Sequence, residues 1–205
     1  TQVIALTVNA VVDIAGDTAS TNEDTAVVIT AASLLTNDSF EGTPTITAVG
    51  SAVGGTVSLS GTNITFTPTP NFNGAASFTY TVTSPAGVTE TATVNVTVNP
   101  ANDPTVVTGG TTGVGAEDTA AITGTLAATD IDGLTDGTVY TVTGAAGHGA
   151  ASINAATGAW SYTPVADYNG TDNFTVTITD DAGNTATQVI ALTVNAVVDI
   201  AGDTA

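Results

Sequence analysis

The stretch NFNGAASFTYTVT, Asn71 to Thr83, decides how this chain is read. Phe78, Tyr80 and Val82 alternate with Thr79, Thr81 and Thr83, a period of two that sends apolar side chains to one face of a strand and hydroxyls to the other. An answering stretch, DYNGTDNFTVTIT at Asp167 to Thr179, carries Phe174, Val176 and Ile178 at the same positions. A second alternating run follows each: Val94, Val96 and Val98 in one, Ile190, Leu192 and Val194 in the other, with Ile4, Leu6 and Val8 repeating the pattern at the start. Hairpin signals precede them. Val57 and Leu59 share parity with Ile64 and Phe66 across Ser60 to Asn63, and Ala151 and Ile153 share it with Trp160 and Tyr162 around Asn154 to Gly158. Trp160 therefore reads as core rather than as a sugar-stacking platform. Threonine, 44 of 205 residues, fills the outward positions, which its β propensity on a solvated strand face explains better than an ice- or sugar-binding array does. No 3.6-residue period lasts more than a turn, so the chain reads as all-β.

Residues 1–19, TQVIALTVNAVVDIAGDTA, recur unchanged as residues 187–205, an offset of 186 residues. The expectation is a periodic parent chain of which these residues are slightly more than one period. A weaker half-period lies inside it, NEDTAVVIT at Asn22 to Thr30 answering AEDTAAITG at Ala116 to Gly124. With Asp13, Asp103 and Asp199 as equivalent junction residues, residues 1–12 are the expected closing strand of a preceding module. Residues 13–102 and 103–198 are then two diverged modules, and 199–205 the start of a third. About seven short strands in each, with turn signals about every 8–12 residues, is the arithmetic of an immunoglobulin-like sandwich. The unchanged duplication favours one covalent array over separate chains that exchange the strand Gln2 to Asn9.

Composition removes several functions. There is no Lys or Arg and the formal charge is −19, so binding to nucleic-acid phosphate or to an anionic membrane surface is excluded. No apolar run reaches the roughly 18 to 20 residues that span a bilayer, so direct membrane insertion is not expected. The charged fraction is only 9%, and 42% of residues are hydrophobic, which separates the chain from charge-rich disordered tails. Cysteine is absent, so stability rests on core burial or bound ions. The single histidine, His148, lies between glycines in a loop, and no Cys or Lys exists to make a nucleophile or Schiff base; the chain reads as no enzyme.

The acidic residues gather at loops and module ends: Asp130 and Asp132 in TDIDG, Asp180 and Asp181 in DDAGN, Glu23 with Asp24, Glu117 with Asp118, Asn102 with Asp103, and Asp13. Calcium takes six to eight oxygen ligands in irregular geometry, and these residues are its candidate ligands; magnesium, which keeps its water and wants an octahedron, suits them less. Asp and Asn also populate turns because they cap local backbone amides, and that reading is preferred for Asp38 and Asp136.

The order EDTA, LLTND, GTVSL, TFTPTPNFNG, SFTYTVTSPAG and TATVNVTVNPANDP in the first module resembles the cadherin-like tandem repeats of very large bacterial surface proteins. The second, with EDTAAITGTLAATDIDG, GAWSYTP and DYNGTDNFTVTITDDAGNTATQVIALTV, is similar to the sister repeat named VCBS, found in the same RTX-type adhesins. The resemblance covers the whole chain. It implies tandem immunoglobulin-like, cadherin-like modules in an extended array, exported to the cell surface or beyond by a type I route and stiffened by calcium. Such repeats serve adhesion or matrix and filament formation, with neighbouring repeats and surface or matrix polysaccharide as partners. A carbohydrate-binding module and a strand-exchanged filament subunit are the alternatives. Ser84 and Pro85 stand in the first module where the second has Asp180 and Asp181, which weakens any calcium site there.

Overall fold

The computed structural model describes residue 3 and residues 14–39, 42–118 and 120–198. Asp13, Asp199 and, apart from Val3, the residues 1–12 expected to close a preceding module lie outside the described residues. The chain divides into two compact units, Thr1–Ala101 and Asn102–Ala205.

In the first unit the elements are β1 (Asp17–Asn22), β2 (Val27–Thr30), the single turn α1 (Ala31–Leu34), β3 (Thr45–Val53), β4 (Gly55–Ser60), β5 (Asn63–Pro68), β6 (Gly74–Thr83) and β7 (Thr89–Asn99). They form two sheets, ordered β1-β7-β6-β3 and β2-β5-β4. The expected hairpin is present, with Leu59 opposite Ile64 and Val57 opposite Phe66. In the other sheet Phe78 lies opposite Val94 and Tyr80 opposite Ala92. The inward faces meet in one core, where the rings of Phe66 and Phe78 stack at 5.9 Å. β1 runs parallel to β7, from Asp17 beside Val94 to Asn22 beside Asn99. The edge strand β3 carries two register shifts, which discourage pairing with another chain.

The second unit contains β8 (Val106–Gly109), β9 (Thr112–Ala116), β10 (Ile122–Thr125), β11 (Ala127–Thr129), β12 (Tyr140–Gly144), β13 (Gly149–Ile153), β14 (Ala159–Pro164), β15 (Gly170–Thr179) and β16 (Thr185–Asn195). Its sheets are β12-β15-β16-β9, β10-β14-β13 and the pair β11-β8. The entering chain changes sheets: β8 pairs antiparallel with β11, and β9 then pairs parallel with β16. Gly110 makes this switch with φ 75°, and a Cβ there would sit 1.8 Å from the Thr125 carbonyl oxygen. Ile153 faces Trp160 across the expected hairpin. The Trp160 indole is buried as expected, donates to the Gly110 carbonyl at 3.0 Å and meets Phe174 edge-on at 5.7 Å. Both units are thus immunoglobulin-like β-sandwiches. Among the described residues no helix is long and apolar enough to cross a membrane.

Candidate metal centre

The TDIDG stretch that follows β11 bends on itself. Asp130 Oδ1 accepts the Asp132 amide at 2.9 Å, a local turn of the kind aspartate favours, and Gly133 completes it with φ 104°. Both carboxylates then reach the segment that enters the unit. The Asp103 amide donates to Asp132 Oδ2 and the Thr105 hydroxyl to Asp130 Oδ2, each at 2.6 Å. Asp180, buried in the turn between β15 and β16, completes the group. Its Oδ1 accepts the amides of Asn184 at 2.7 Å and Ala182 at 2.9 Å, and its Oδ2 accepts the Asn184 side chain at 3.0 Å.

One carboxylate oxygen from each of Asp130, Asp132 and Asp180 lies within 4.8 Å of the others, the one such trio among the described residues. Burial pushes the Asp180 pKa up, but hydrogen bonds from the Asn184 side chain and from the amides of Asn184, Ala182 and Gly183 outweigh it, and the net shift is downward. The Asp180 carboxyl is therefore held in its charged form beside the carboxyls of Asp130 and Asp132, an arrangement that can take up a cation. Every donor is a hard oxygen, with no nitrogen or sulfur ligand, which suits calcium and not zinc or copper. Asp103 and Asp130 both line a shallow cavity of about 350 Å³ with Pro104, Val106, Thr129 and Ile131. Asn102 belongs to the same neighbourhood, its Oδ1 accepting from the Asn184 side chain and its Nδ2 donating to the Asp103 carbonyl at 3.0 Å.

The remaining sequence candidates lie elsewhere. Asp181, adjacent to Asp180, turns away and accepts from the Thr135 hydroxyl at 2.6 Å and from the amides of Thr135 at 2.7 Å and Asp136 at 3.2 Å. The Thr135 hydroxyl, helped by those two amides, holds the Asp181 carboxyl below its ordinary pKa against the effect of burial. Glu117 is buried and bonded to the chain just beyond β16, its Oε1 accepting the Val197 amide at 2.9 Å and its Oε2 the Asn169 side chain at 3.1 Å. β16 is an 11-residue strand, about 35 Å long. Asp180 precedes its start and Glu117 bonds past its end, so the two acids occupy opposite poles of the unit. Asp118 Oδ1 takes the Asp167 amide at 3.1 Å.

The first unit repeats this second arrangement. Glu23 accepts the Ala101 amide at 2.7 Å and the Asn73 side chain at 3.3 Å, and Asp24 accepts the Asn71 amide at 3.0 Å. Its other pole holds Asp38, which accepts the Ala15 amide at 2.7 Å, and Asp17, which accepts the Tyr80 hydroxyl at 2.8 Å. Burial, with the charge of Asp38 adding to it, raises the Asp17 pKa despite the hydrogen bonds from Tyr80 and Asn37. Ser84 there forms a turn with Val88, and no third carboxylate joins the pair among the described residues.

Sequence reasoning missed Thr105 and Asn184, whose contacts with Asp130 and Asp180 hold the carboxylates in place. It also missed Asp172, a buried acid of the second unit bonded to Tyr162 of its core. The signal was available, because Asp172 shares the inward parity of Phe174 on its strand.

Sandwiches of this kind in tandem, one with an acidic pole, define a class of immunoglobulin-like repeat proteins. Residues 9–97 and 102–193 each match the bacterial Ig domain family, and the chain belongs to that family. In fold it is similar to Drosophila N-cadherin EC1-4, with a TM-score of 0.53 and 13% identity over 88% of this chain and 49% of that one. It is similar also to human mucin-like protocadherin EC1-2, with a TM-score of 0.46 and 17% identity over 89% of this chain and 97% of that one. Mouse cadherin-23 EC22-24 gives a TM-score of 0.46 and 16% identity over 90% and 63%. The chain thus spans about half the N-cadherin structure and under two thirds of the cadherin-23 one. No curated protein matches the chain.

Proposed function

We propose that these bacterial Ig domains are spacer repeats of an extracellular adhesin or fibre of the cadherin-like and VCBS type, and that the second module binds Ca2+ through Asp130, Asp132 and Asp180. The convergence of the three carboxylates at the entry to that module carries the reading. Asp103 and Asn102 lie on the entering segment beside them, the Asp103 amide bonded to Asp132 and the Asn102 side chain to Asn184. Bound calcium supplies positive charge and oxygen coordination. Asp130 and Asp132 already hold the entering segment by hydrogen bonds, and Asp180 holds its own turn against them, so neutralising their mutual repulsion ties three separate pieces of chain together. In this reading the modules span residues 13–102 and 103–198, the parent protein is secreted by a type I route, and its partners are neighbouring repeats and surface or matrix polysaccharide. A net charge of −19 without a fixed cation is tolerable where divalent ions are plentiful.

The chain has a single tryptophan, and Trp160 lies in the second unit, so its fluorescence reports that unit alone. Extracellular calcium sites bind at roughly 10⁻⁴ to 10⁻³ M, so millimolar calcium is expected to raise the Trp160-reported melting transition by about 4 °C over the chelated chain. Asp130→Asn combined with Asp132→Asn should melt at the chelated temperature in either condition. A transition indifferent to calcium and chelator would refute the site.

A further inference from the structure

The chain holds a single Asp-Pro pair, Asp103-Pro104, on the segment that enters the second unit. The carbonyl of that peptide bond is engaged in an unusual way. The oxygen of Asp103 accepts the side-chain Nδ2 of its own neighbour, Asn102, at 3.0 Å. Asn102 is in turn oriented through its Oδ1, which accepts from the Asn184 side chain, and Asn184 is fixed by Asp180 at 3.0 Å. On the other side of the residue the Asp103 amide is tied to Asp132 at 2.6 Å. A donor placed on a carbonyl oxygen draws electrons from the carbon and stabilises the negative charge that develops when a nucleophile attacks. Here the nucleophile is built in, because an aspartate side chain is the right length to close a ring on its own carbonyl carbon. The leaving group is built in as well: the proline nitrogen belongs to a tertiary amide without an N–H, and it takes a proton more readily than an ordinary peptide nitrogen. Pro104 is exposed and, with Asp103, lines the shallow cavity of about 350 Å³, so water reaches the bond.

We propose that the chain cuts itself at the Asp103–Pro104 bond, an intramolecular acyl transfer that frees a new amino terminus at Pro104. A carboxylate oxygen of Asp103 bonds to the Asp103 carbonyl carbon. The carbon–nitrogen bond to Pro104 breaks, and the nitrogen takes a proton from water and leaves as a secondary amine. The cyclic anhydride formed on Asp103 is opened by the hydroxide that remains, giving a side-chain and a terminal carboxylate. One water is consumed and no oxidant or further reactant is needed. Each chain reacts once on its own backbone, so nothing turns over. The cut falls after β7, which ends at Asn99, and before β8, which begins at Val106, so neither sandwich loses a strand. In a spacer array it divides neighbouring modules, but the reaction itself does not depend on that reading.

The test follows the purified 205-residue chain by intact mass over days, with chelator and separately with millimolar calcium, its fold checked by Trp160 emission. The expected products are residues 1–103 and 104–205, with masses that sum to the parent plus one water, the second beginning Pro104-Thr105-Val106 on terminal sequencing. A trypsin-like contaminant cannot produce them, because the chain has no Lys or Arg. Asp103→Ala and Pro104→Ala should each abolish the cut. Asn102→Ala keeps nucleophile and leaving group and removes only an exposed donor, and it should slow the cut at least about tenfold. The wild type unfolded in urea should be slowed to a similar degree. A wild type that stays intact in both buffers, an unslowed Asn102→Ala chain, a Pro104→Ala chain that still cuts, or equal rates folded and in urea would overturn the proposal.

Discussion

Asp172→Asn is expected to cost the second unit about 3 kcal/mol, because it turns an amide toward donors that now converge on a buried carboxylate. Asp172 accepts the Tyr162 hydroxyl at 2.8 Å and the amides of Gly147 at 2.9 Å, His148 at 2.8 Å and Asn173 at 2.8 Å. It thereby fastens the loop ahead of β13 to β15 and to the Tyr162 ring of the core. Burial pushes its pKa up, but the Tyr162 hydroxyl and the amides of His148, Asn173 and Gly147 outweigh burial, and the carboxyl sits below its ordinary value. The other titratable groups near it are Tyr162, whose own pKa burial and Asp172 push up, and His148, whose Nδ1 lies 4.0 Å from Oδ1. A depressed folded-state pKa contributes stability that is complete above the unfolded value of about 4 and is lost as pH falls through the folded value. The variant's deficit should therefore be full at neutral pH and narrow once the pH drops below about 4. Urea unfolding followed by Trp160 fluorescence from pH 3 to 7 measures this. A deficit under about 1 kcal/mol at pH 7, or one that widens in acid, would contradict it.

Trp160→Ala should cost the same unit about 4 kcal/mol, the upper range for a core aromatic. The indole occupies a slot kept open by absent side chains. A Cβ on Gly124 would lie 2.4 Å from Trp160 Cζ2, and one on Gly113 2.5 Å from Cη2. Gly124→Ala in the wild-type background is therefore an overpacking change, expected to cost about 2 kcal/mol. In the Trp160→Ala background the added methyl enters the vacated space, and the cost should fall by at least half. Circular dichroism on the four chains closes this cycle, and additive losses would show that the glycines do not make the slot.

The strands were legible because alternation of period two survives in almost every one of them, as in Ala92, Val94, Val96 and Val98 of β7. Hairpins were legible for the same reason, since Leu59 and Ile64 share parity across a short turn. The parallel neighbours were not. Whether β1 lies beside β7, or β9 beside β16, depends on partners more than seventy residues away, and parity is silent on direction. The change of sheet at Gly110 was hidden because its cause is the close approach of the Thr125 carbonyl, far along the chain. For the site, Asp130 and Asp132 stood out as a pair of acids in the TDIDG loop. The DDAGN loop named two neighbouring acids, and only the fold separates Asp180, the buried third member of the trio, from Asp181, which faces Thr135. Glu23 and Glu117 sat in a repeated motif, but their burial and their hold on the outgoing chain depend on Asn73, Asn169 and the end of the last strand.

Calorimetric titration of calcium into the 205-residue chain, beside the Asp130→Asn, Asp132→Asn, Asp180→Asn triple variant, tests the central claim most directly. The account predicts at least one ion bound to the wild type, with Kd of roughly 10⁻³ M or tighter. The triple variant, its fold confirmed by Trp160 emission, should have lost that ion. Indistinguishable isotherms for the two chains, or no binding to the wild type at millimolar calcium, would contradict it.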